Sequence, residues 1–150
     1  MAVNAENKVL LVRKTNKKIW QFPAGSLSVN EDVTGALRRE LKEELGLDAE
    51  SFAAEGIIGV RHRRNTKYGN NVFIIFLLRC SAAKHDIRIV DKEEIAEARF
   101  FSRIEATHND RVDWIVKEVL KKHGGKKEAA LSEMKNTPKP DDSVFYTLFL

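Results

Sequence analysis

The chain has 150 residues, of which 43% are hydrophobic and 32% are charged, and its formal net charge is +4. These proportions exclude collagen-like, membrane-spanning and wholly disordered chains, and the length is that of one ordinary domain. The single cysteine, Cys80, cannot form an internal disulfide, which favours a reducing, cytoplasmic location. The longest apolar run is too short to span a bilayer and no secretion signal is visible, so we expect no membrane partner. The positive charge suits an anionic partner such as a nucleotide or RNA, although a solvated lysine-rich surface would explain it equally well.

Several apolar or extended segments predict β-strands, because each is short and is bounded by charged or turn-forming residues. The predicted strands are Val9–Val12, Ile19–Pro23, Ile57–Val60, Val72–Leu78 and Ala98–Phe101. A turn signal at Tyr68–Asn71 precedes the fourth strand. Because Val72–Leu78 is apolar throughout, we expect it to be buried on both faces.

Two segments have the apolar periodicity of helices. Apolar residues recur every four positions over Val33–Leu45, which predicts an amphipathic helix with Asn30 or Asp32 as its N-cap and Gly46 as its stop. A second helix is predicted over about Asp110–Lys122. Because strands and helices interleave, we expect an α/β fold in which a mixed sheet lies between helices.

The last part of the chain differs from the rest in composition. We therefore predict one domain over residues 1–125, followed by a polar linker and an apolar C-terminal tail over residues 126–150. The apolar end, Val144–Leu150, is expected to dock on the domain or on a partner chain, since exposed apolar segments of this length are uncommon.

Three carboxylates share one face of the first predicted helix. Glu40, Glu43 and Glu44 are spaced i, i+3 and i+4, which brings like charges together unless a cation lies among them. Hard oxygen ligands in such a cluster suit Mg²⁺ or Mn²⁺, whereas a set of zinc ligands is absent. A solvated acidic helix face explains the carboxylates alone equally well.

The wider pattern favours the metal site. Gly25, Glu31 and the segment Arg39–Leu47 match G-x5-E-x7-R-E-U-x-E-E-x-G-U, where U is a bulky aliphatic residue. The sequence therefore resembles the Nudix hydrolases, and the order of elements extends the resemblance to about residues 1–123. The resemblance implies a Nudix-type α/β/α sandwich with a mixed β-sheet. It also implies hydrolysis of the pyrophosphate bond of a nucleoside diphosphate linked to another moiety, assisted by divalent metal ions.

The resemblance also implies roles for individual residues. The implied metal ligands are Glu40, Glu43, Glu44, Glu94 and the backbone carbonyl of Ala24. The implied catalytic set is Glu44, Glu40, Arg39 and Glu94. Arg39 would pair with Glu31 and orient the carboxylates, while Gly25 and Gly46 would support the site as a close-approach glycine and a helix cap.

The identity of the general base stays open at this point. In some family members it is a glutamate of the box, which would be Glu40 or Glu44. In others it is a glutamate of a later loop, and Glu94 lies just before the predicted strand Ala98–Phe101. A solvated acidic turn is the alternative explanation for Glu94.

Residues outside the box are expected to choose the substrate. Trp20 is a candidate for stacking on a base, with a core position as the alternative. Arg61, Arg63 and Arg64 belong to the densest basic cluster and would grip phosphate oxygens if the cluster lines the site. A solubilising hairpin is the other interpretation of this cluster.

Four functions follow, in order of preference. The first is hydrolysis of ADP-ribose, a nucleotide sugar or NADH, because Ala24 stands where other branches have a second glycine. The second is removal of pyrophosphate or a cap from RNA 5′ ends, which the lead-in Trp20–Pro23 and the basic cluster favour. The third is a sanitiser of oxidised nucleoside triphosphates, and the fourth is a non-catalytic nucleotide-binding module. We also expect a homodimer, because the apolar tail needs a surface to cover.

Overall fold

The structure of the protein is a computed structural model that describes residues 1–65, 69–81, 86–123, 133–134 and 144–149. Side chains are described within these ranges except at residues 64, 65, 133, 134 and 144–149. The strands are β1 (Ala2–Asn4), β2 (Val9–Lys14), β3 (Trp20–Gln21), β4 (Phe52–Asn65), β5 (Gly69–Cys80), β6 (Ile95–Phe101), β7 (Glu133–Met134) and β8 (Val144–Phe149). The helices are α1 (Val33–Leu45), α2 (Arg103–His108) and α3 (Trp114–His123), and a short 3-10 turn covers Ala49–Ser51.

The described strands form one mixed sheet between two helical layers. Their order is β3-β2-β1-β5-β4-β8-β7, and β6 pairs with β2 along the length of that strand. Strand β1 pairs in parallel with β5, and the other strand pairs are antiparallel. Helix α1 packs on one face of the sheet, and α2 and α3 pack on the other. The predicted α/β/α sandwich with a mixed sheet is confirmed.

Helix α1 begins and ends where its sequence signals predict. The Asp32 side chain accepts a hydrogen bond from the Gly35 amide at 2.7 Å and so caps the first turn. Gly46 ends the helix in the left-handed region, with φ of 64°, and its amide donates to the Leu41 and Lys42 carbonyls. Because both ends are fixed, the positions of the three glutamates on the helix are fixed as well.

Strand β2 divides the hydrophobic core into two clusters. Leu10 and Val12 pack with Leu41 and Leu45 of α1, whereas Val9 and Leu11 face α2 and α3. Side chains alternate along a strand, so β2 is buried on both faces over residues 9–12. Lys14 has the parity of Leu10 and Val12, so β2 directs it to the α1 side.

The strands are longer than their apolar runs predicted. Gly69–Asn71, part of the predicted turn, belongs to β5, and Tyr68 lies outside the described residues. The prediction that Val72–Leu78 is buried on both faces is wrong for its first half. Val72 is 65% exposed and Ile74 is 45% exposed, because the helices cover only the later part of β5. Apolar composition does not report how far a neighbouring layer extends.

The second helical region also differs from its prediction. The sequence analysis missed α2, whose N-cap Ser102 accepts a hydrogen bond from the Glu105 amide. Helix α3 begins at Trp114 rather than Asp110. The preceding backbone instead pairs with β3, since the Trp20 amide donates to the Arg111 carbonyl at 2.7 Å. A tertiary contact therefore displaced the predicted start of the helix.

The apolar C-terminal segment docks on the domain. Its strand β8 pairs with β4 in an antiparallel ladder, with Val60 opposite Phe149 and Asn65 opposite Val144. This confirms the prediction that the segment covers a surface, and the surface is the sheet itself. Within the described part of the chain, no helix has the length and apolarity needed to cross a bilayer.

Candidate active site

Helix α1 and the loop before it bring carboxylates to one edge of the α1 side. Glu44 is almost completely buried, at 3% exposure, whereas Glu43 points outward. The Glu40 carboxylate lies directly against Gly25, since a Cβ on that glycine would come within 1.8 Å of Glu40 Cδ. The Ala24 carbonyl belongs to the peptide bond that precedes Gly25, so it lies beside the same carboxylate. Only glycine allows this approach of backbone to carboxylate.

Arg39 organises this edge through its whole guanidinium group. Its Nε and Nη2 donate to the two carboxylate oxygens of Glu31 at 3.0 Å each, and Nη2 also donates to the Ser26 carbonyl at 2.9 Å. Its Nη1 donates to Glu40 and Glu43 at 3.0 Å each. The hydrogen bonds from Arg39 lower the pKa of Glu31. The expected Arg39–Glu31 pair is therefore present, and it ties the loop to the helix.

A second cation, Lys14, lies between two further carboxylates. Its Nζ forms an ion pair with Glu94 and lies 4.0 Å from Glu44 Oε1. Burial raises the pKa of Glu44 to about 7, an effect that Lys14 opposes and that Glu94 and Glu40 reinforce. Glu44 Oε2 is buried and has no hydrogen-bond partner. A buried carboxylate oxygen without a partner is costly unless something else binds it.

The segment before β6 brings Glu94 to this place. The Val90 amide donates to the Glu44 carbonyl at 3.1 Å, and the Thr15 amide donates to the Glu94 carbonyl at 2.8 Å. Asp91 shapes the turn, because its Oδ1 accepts from the Glu94 amide at 2.9 Å. The late glutamate therefore reaches the α1 side through Lys14 and lies across from Glu44.

The donor set suits a hard divalent cation. It consists of carboxylate oxygens and one backbone carbonyl, and the buried Glu44 Oε2 lacks a partner. Arg39 and Lys14 now neutralise the carboxylates, and the described residues hold no ready-made group of three or more metal-ligating side chains. A divalent ion bound here would therefore compete with the side-chain cations, Lys14 above all.

Trp20 does not lie at this edge. It is a core residue, 6% exposed, and its ring meets Phe101 edge-to-face with centroids 4.9 Å apart. The Arg99 guanidinium lies 5.3 Å from the Trp20 ring centroid. Trp20 pairs with Arg13 in the ladder and therefore faces α3. The prediction that Trp20 stacks on a substrate base is corrected: its ring packs in the core.

The basic cluster also lies away from the carboxylates. Arg61 and Arg63 both lie over the Phe73 ring, at 5.1 and 5.3 Å from its centroid. Phe73 has the parity of Ile75, which packs in the cluster under α3. The two arginines are therefore on the face opposite α1, and their placement gives no support to a substrate-binding role. The side chain of Arg64 lies outside the described residues.

Sequence reasoning missed two groups at the site. Lys14 ends a buried strand, and a lone cation after an apolar run was the available signal. The backbone of Ser26 donates to Glu40 Oε1 at 3.1 Å and accepts from Arg39. No side-chain pattern reports such a backbone contact.

Comparisons with known proteins agree with this arrangement. A family model described as NUDIX domain matches residues 1–122. An RNA pyrophosphohydrolase of Halorhodospira halophila is 31% identical over 99 residues, which cover 59% of this chain and 55% of that protein. An RNA pyrophosphohydrolase of Campylobacter jejuni is 45% identical over 51 residues, 33% of each chain. The chain therefore matches about half or less of the length of these relatives.

A solved structure shares the fold. The binary complex of a C. elegans Ap4A hydrolase is similar with a TM-score of 0.61 and 16% identity, over 81% of this chain and 89% of that chain. At this level of identity the likeness concerns the fold alone.

Proposed function

Because the chain belongs to the NUDIX domain family, we propose that it is a metal-dependent pyrophosphohydrolase that removes pyrophosphate from the 5′ end of RNA. Water attacks a phosphorus of the 5′-triphosphate, and the products are pyrophosphate and a 5′-monophosphate end. Glu40, Glu43, Glu44, Glu94 and the Ala24 carbonyl would hold Mg²⁺ or Mn²⁺. The chemistry that such ions supply when bound is polarisation of phosphoryl oxygens and a lower pKa for a bound water.

One observation carries the catalytic part of the proposal. Glu44 is buried, its Oε2 has no hydrogen-bond partner, and it lies opposite Glu94 with only Lys14 between them. A surface ion-pair network would leave no such buried atom. In the proposed mechanism Arg39 holds Glu40 and the Gly25 loop in place, and Lys14 leaves Glu94 when a metal ion enters. Either Glu94 or Glu44 would then take the proton of the attacking water.

The relatives decide the order of the substrates. Both RNA pyrophosphohydrolases support the RNA end, which the sequence alone ranked second. Hydrolysis of a nucleoside diphosphate derivative such as ADP-ribose is the second candidate, and Ala24 before the box glycine is the observation that favours it. The intact carboxylates oppose a non-catalytic module.

A hydrolysis panel tests the proposal. Wild type, Glu44→Gln and the control Glu105→Gln would each be incubated with Mg²⁺ and one substrate, with the products separated by chromatography. The substrates are 5′-triphosphate RNA, ADP-ribose, a nucleotide sugar, NADH and an oxidised triphosphate. Glu105 pairs with Arg99 on α2, on the other face of the sheet, so its variant should match wild type. Preferred cleavage of ADP-ribose would overturn the RNA assignment, and equal rates for wild type and Glu44→Gln would overturn the mechanism.

Location and assembly are further proposals. The cytoplasmic location depends on the use of cysteine, and Cys80 is a buried thiol. The homodimer remains a prediction, although the apolar tail that suggested it pairs with β4 of its own chain. Light scattering at micromolar concentration that shows only monomers would reject the dimer.

A further inference from the structure

Three aliphatic side chains lie exposed beside the candidate active site. Val72 and Ile74 on β5 are 65% and 45% exposed, and Val60 on β4, opposite Ile74, is half-buried. We call Val60, Val72 and Ile74 the aliphatic patch. Such β-branched side chains side by side on a sheet are normally covered.

The aliphatic patch lies on the same side of the sheet as the carboxylates. Val72 and Ile74 share the parity of Phe76 and Leu78, which pack with the cluster under α1. The side chains of directly paired residues face the same way, so Val60 lies on that side too. Helix α1 covers the later part of β5 and leaves the patch open.

The register places the aliphatic patch level with Lys14. Val3 pairs with Val9 of β2 and with Arg79 of β5, so these three residues form one row across the sheet. Lys14 is five residues after Val9, and Ile74 is five residues before Arg79 on the antiparallel strand. Both therefore lie the same distance up the sheet. They are separated by at least two strand spacings, on the order of 10 Å.

From this placement we propose that the aliphatic patch binds the base of the nucleoside whose pyrophosphate is cleaved. The proposal rests on the proposed function, because it takes the phosphates to lie at Glu44 and Lys14. A nucleotide that extends sideways along the sheet from those residues puts its base over Ile74. The patch is far smaller than the ~800 Å² per partner that a stable protein interface needs, whereas its size suits one flat ring.

Polar groups complete the pattern of a base site. His62 pairs with Val72 and faces the same side, and Gln21 pairs with Val12 and lies between β2 and the patch. Ligand sites combine an apolar lining with a few polar groups that orient the ligand. An apolar surface that packs on one face of a base, with edge contacts from such groups, fits this description.

Equilibrium binding separates the base from the phosphates. Calorimetry with Mg²⁺ would measure the Kd of ADP and of inorganic pyrophosphate for wild type and Ile74→Ser. We expect wild type to bind ADP more tightly than pyrophosphate. In Ile74→Ser we expect the Kd for ADP to rise about tenfold, the scale of roughly 1.4 kcal/mol, and the Kd for pyrophosphate to stay within about twofold. The matched control is Ile104→Ser, because Ile104 is an exposed isoleucine on α2, on the other face.

Several outcomes would overturn the proposal. They are an unchanged Kd for ADP in Ile74→Ser, equal losses for ADP and pyrophosphate, and a wild type that prefers pyrophosphate. A change of oligomeric state with unchanged ADP affinity would also reject it, because the patch would then be a protein contact.

The hydrolysis panel keeps this proposal apart from the proposed function. If wild type cleaves a substrate and Ile74→Ser has the same KM, the base site fails and the function stands. If wild type cleaves nothing but Ile74→Ser loses ADP affinity selectively, the function fails and the base site stands. The KM values for 5′-triphosphate RNA and ADP-ribose show which nucleoside the patch receives, since the rise should be larger for the true substrate.

Discussion

Two clusters of opposite charges lie on the α1 side, and they differ in how completely they are satisfied. Around Arg39, every donor direction meets an oxygen of Glu31, Ser26, Glu40 or Glu43. Around Lys14, a single ammonium faces Glu94 and Glu44, and one buried oxygen of Glu44 has no partner.

The difference separates support from chemistry. A planar guanidinium with all its hydrogen bonds made fixes the geometry of what it touches and has nothing left to bind. An incompletely bonded buried carboxylate keeps free energy available for a ligand. We therefore assign orientation of the loop to the Arg39 cluster and metal and water chemistry to the Lys14 cluster.

Replacing the buried carboxylate should have the largest effect. Glu44→Gln removes the charge but nearly keeps the shape, so we expect the hydrolysis rate to fall on the order of a thousandfold. Steady-state kinetics on the substrate found in the panel measures this. A loss below about tenfold would mean that the Lys14 cluster is not where the chemistry takes place.

The pH dependence of stability should report the same carboxylate. In the folded, metal-free protein the pKa of Glu44 is about 7, above its ordinary value of 4.5. The folded state therefore holds a proton that the unfolded state releases, and stability falls as the pH rises from about 4.5 to 7. At roughly 1.4 kcal/mol per pH unit, the free energy of unfolding should drop by about 3 kcal/mol.

Urea unfolding in the presence of a chelator, at pH 5 and at pH 8, measures this drop. Glu44→Gln should lack that part of the dependence, and Glu43→Gln should keep it. Added Mg²⁺ should restore stability at pH 8, because the metal ion binds the ionised form. A drop that is identical in Glu44→Gln would place its origin elsewhere.

Changes to the guanidinium should be smaller and should act through position. We expect Arg39→Ala to lower the rate between about 10- and 100-fold, as outer partners of metal ligands do. Arg39→Lys should recover little, since an ammonium cannot bind both oxygens of Glu31 and reach Ser26 as well. Full activity in Arg39→Lys would show that only charge matters there.

The outermost carboxylate should matter least for stability. Glu43 is largely exposed and pairs with Arg39 at i, i+4, so Glu43→Gln should change the free energy of unfolding by no more than about 0.5 kcal/mol. Its loss of activity should be at least tenfold smaller than that of Glu44→Gln. Equal losses would erase the distinction between the two clusters.

Local signals predicted what local physics decides. The capping residues and four-residue periodicity of α1 defined the helix at both ends, and the spacing from Gly25 identified the family. The pairing of Glu31 with Arg39 followed from that family pattern. These features depend on neighbours close in the chain or on a motif that the whole family shares.

The failures lie where distant segments meet. Trp20 was open to two interpretations until its partner Phe101, far along the chain, showed that it packs in the core. The exposure of Val72 depends on where α1 ends, which the strand's own composition does not contain. Lys14 reached the site because β6 brought Glu94 beside it.

Strand β2 gives the molecule a mechanical property of its own. Its side chains are clamped by both hydrophobic layers, and the lysine of the site extends from its end. Neither layer can loosen alone without disturbing that lysine. Thermal inactivation should therefore coincide with cooperative melting of the whole domain, with no earlier loss of activity through local fraying.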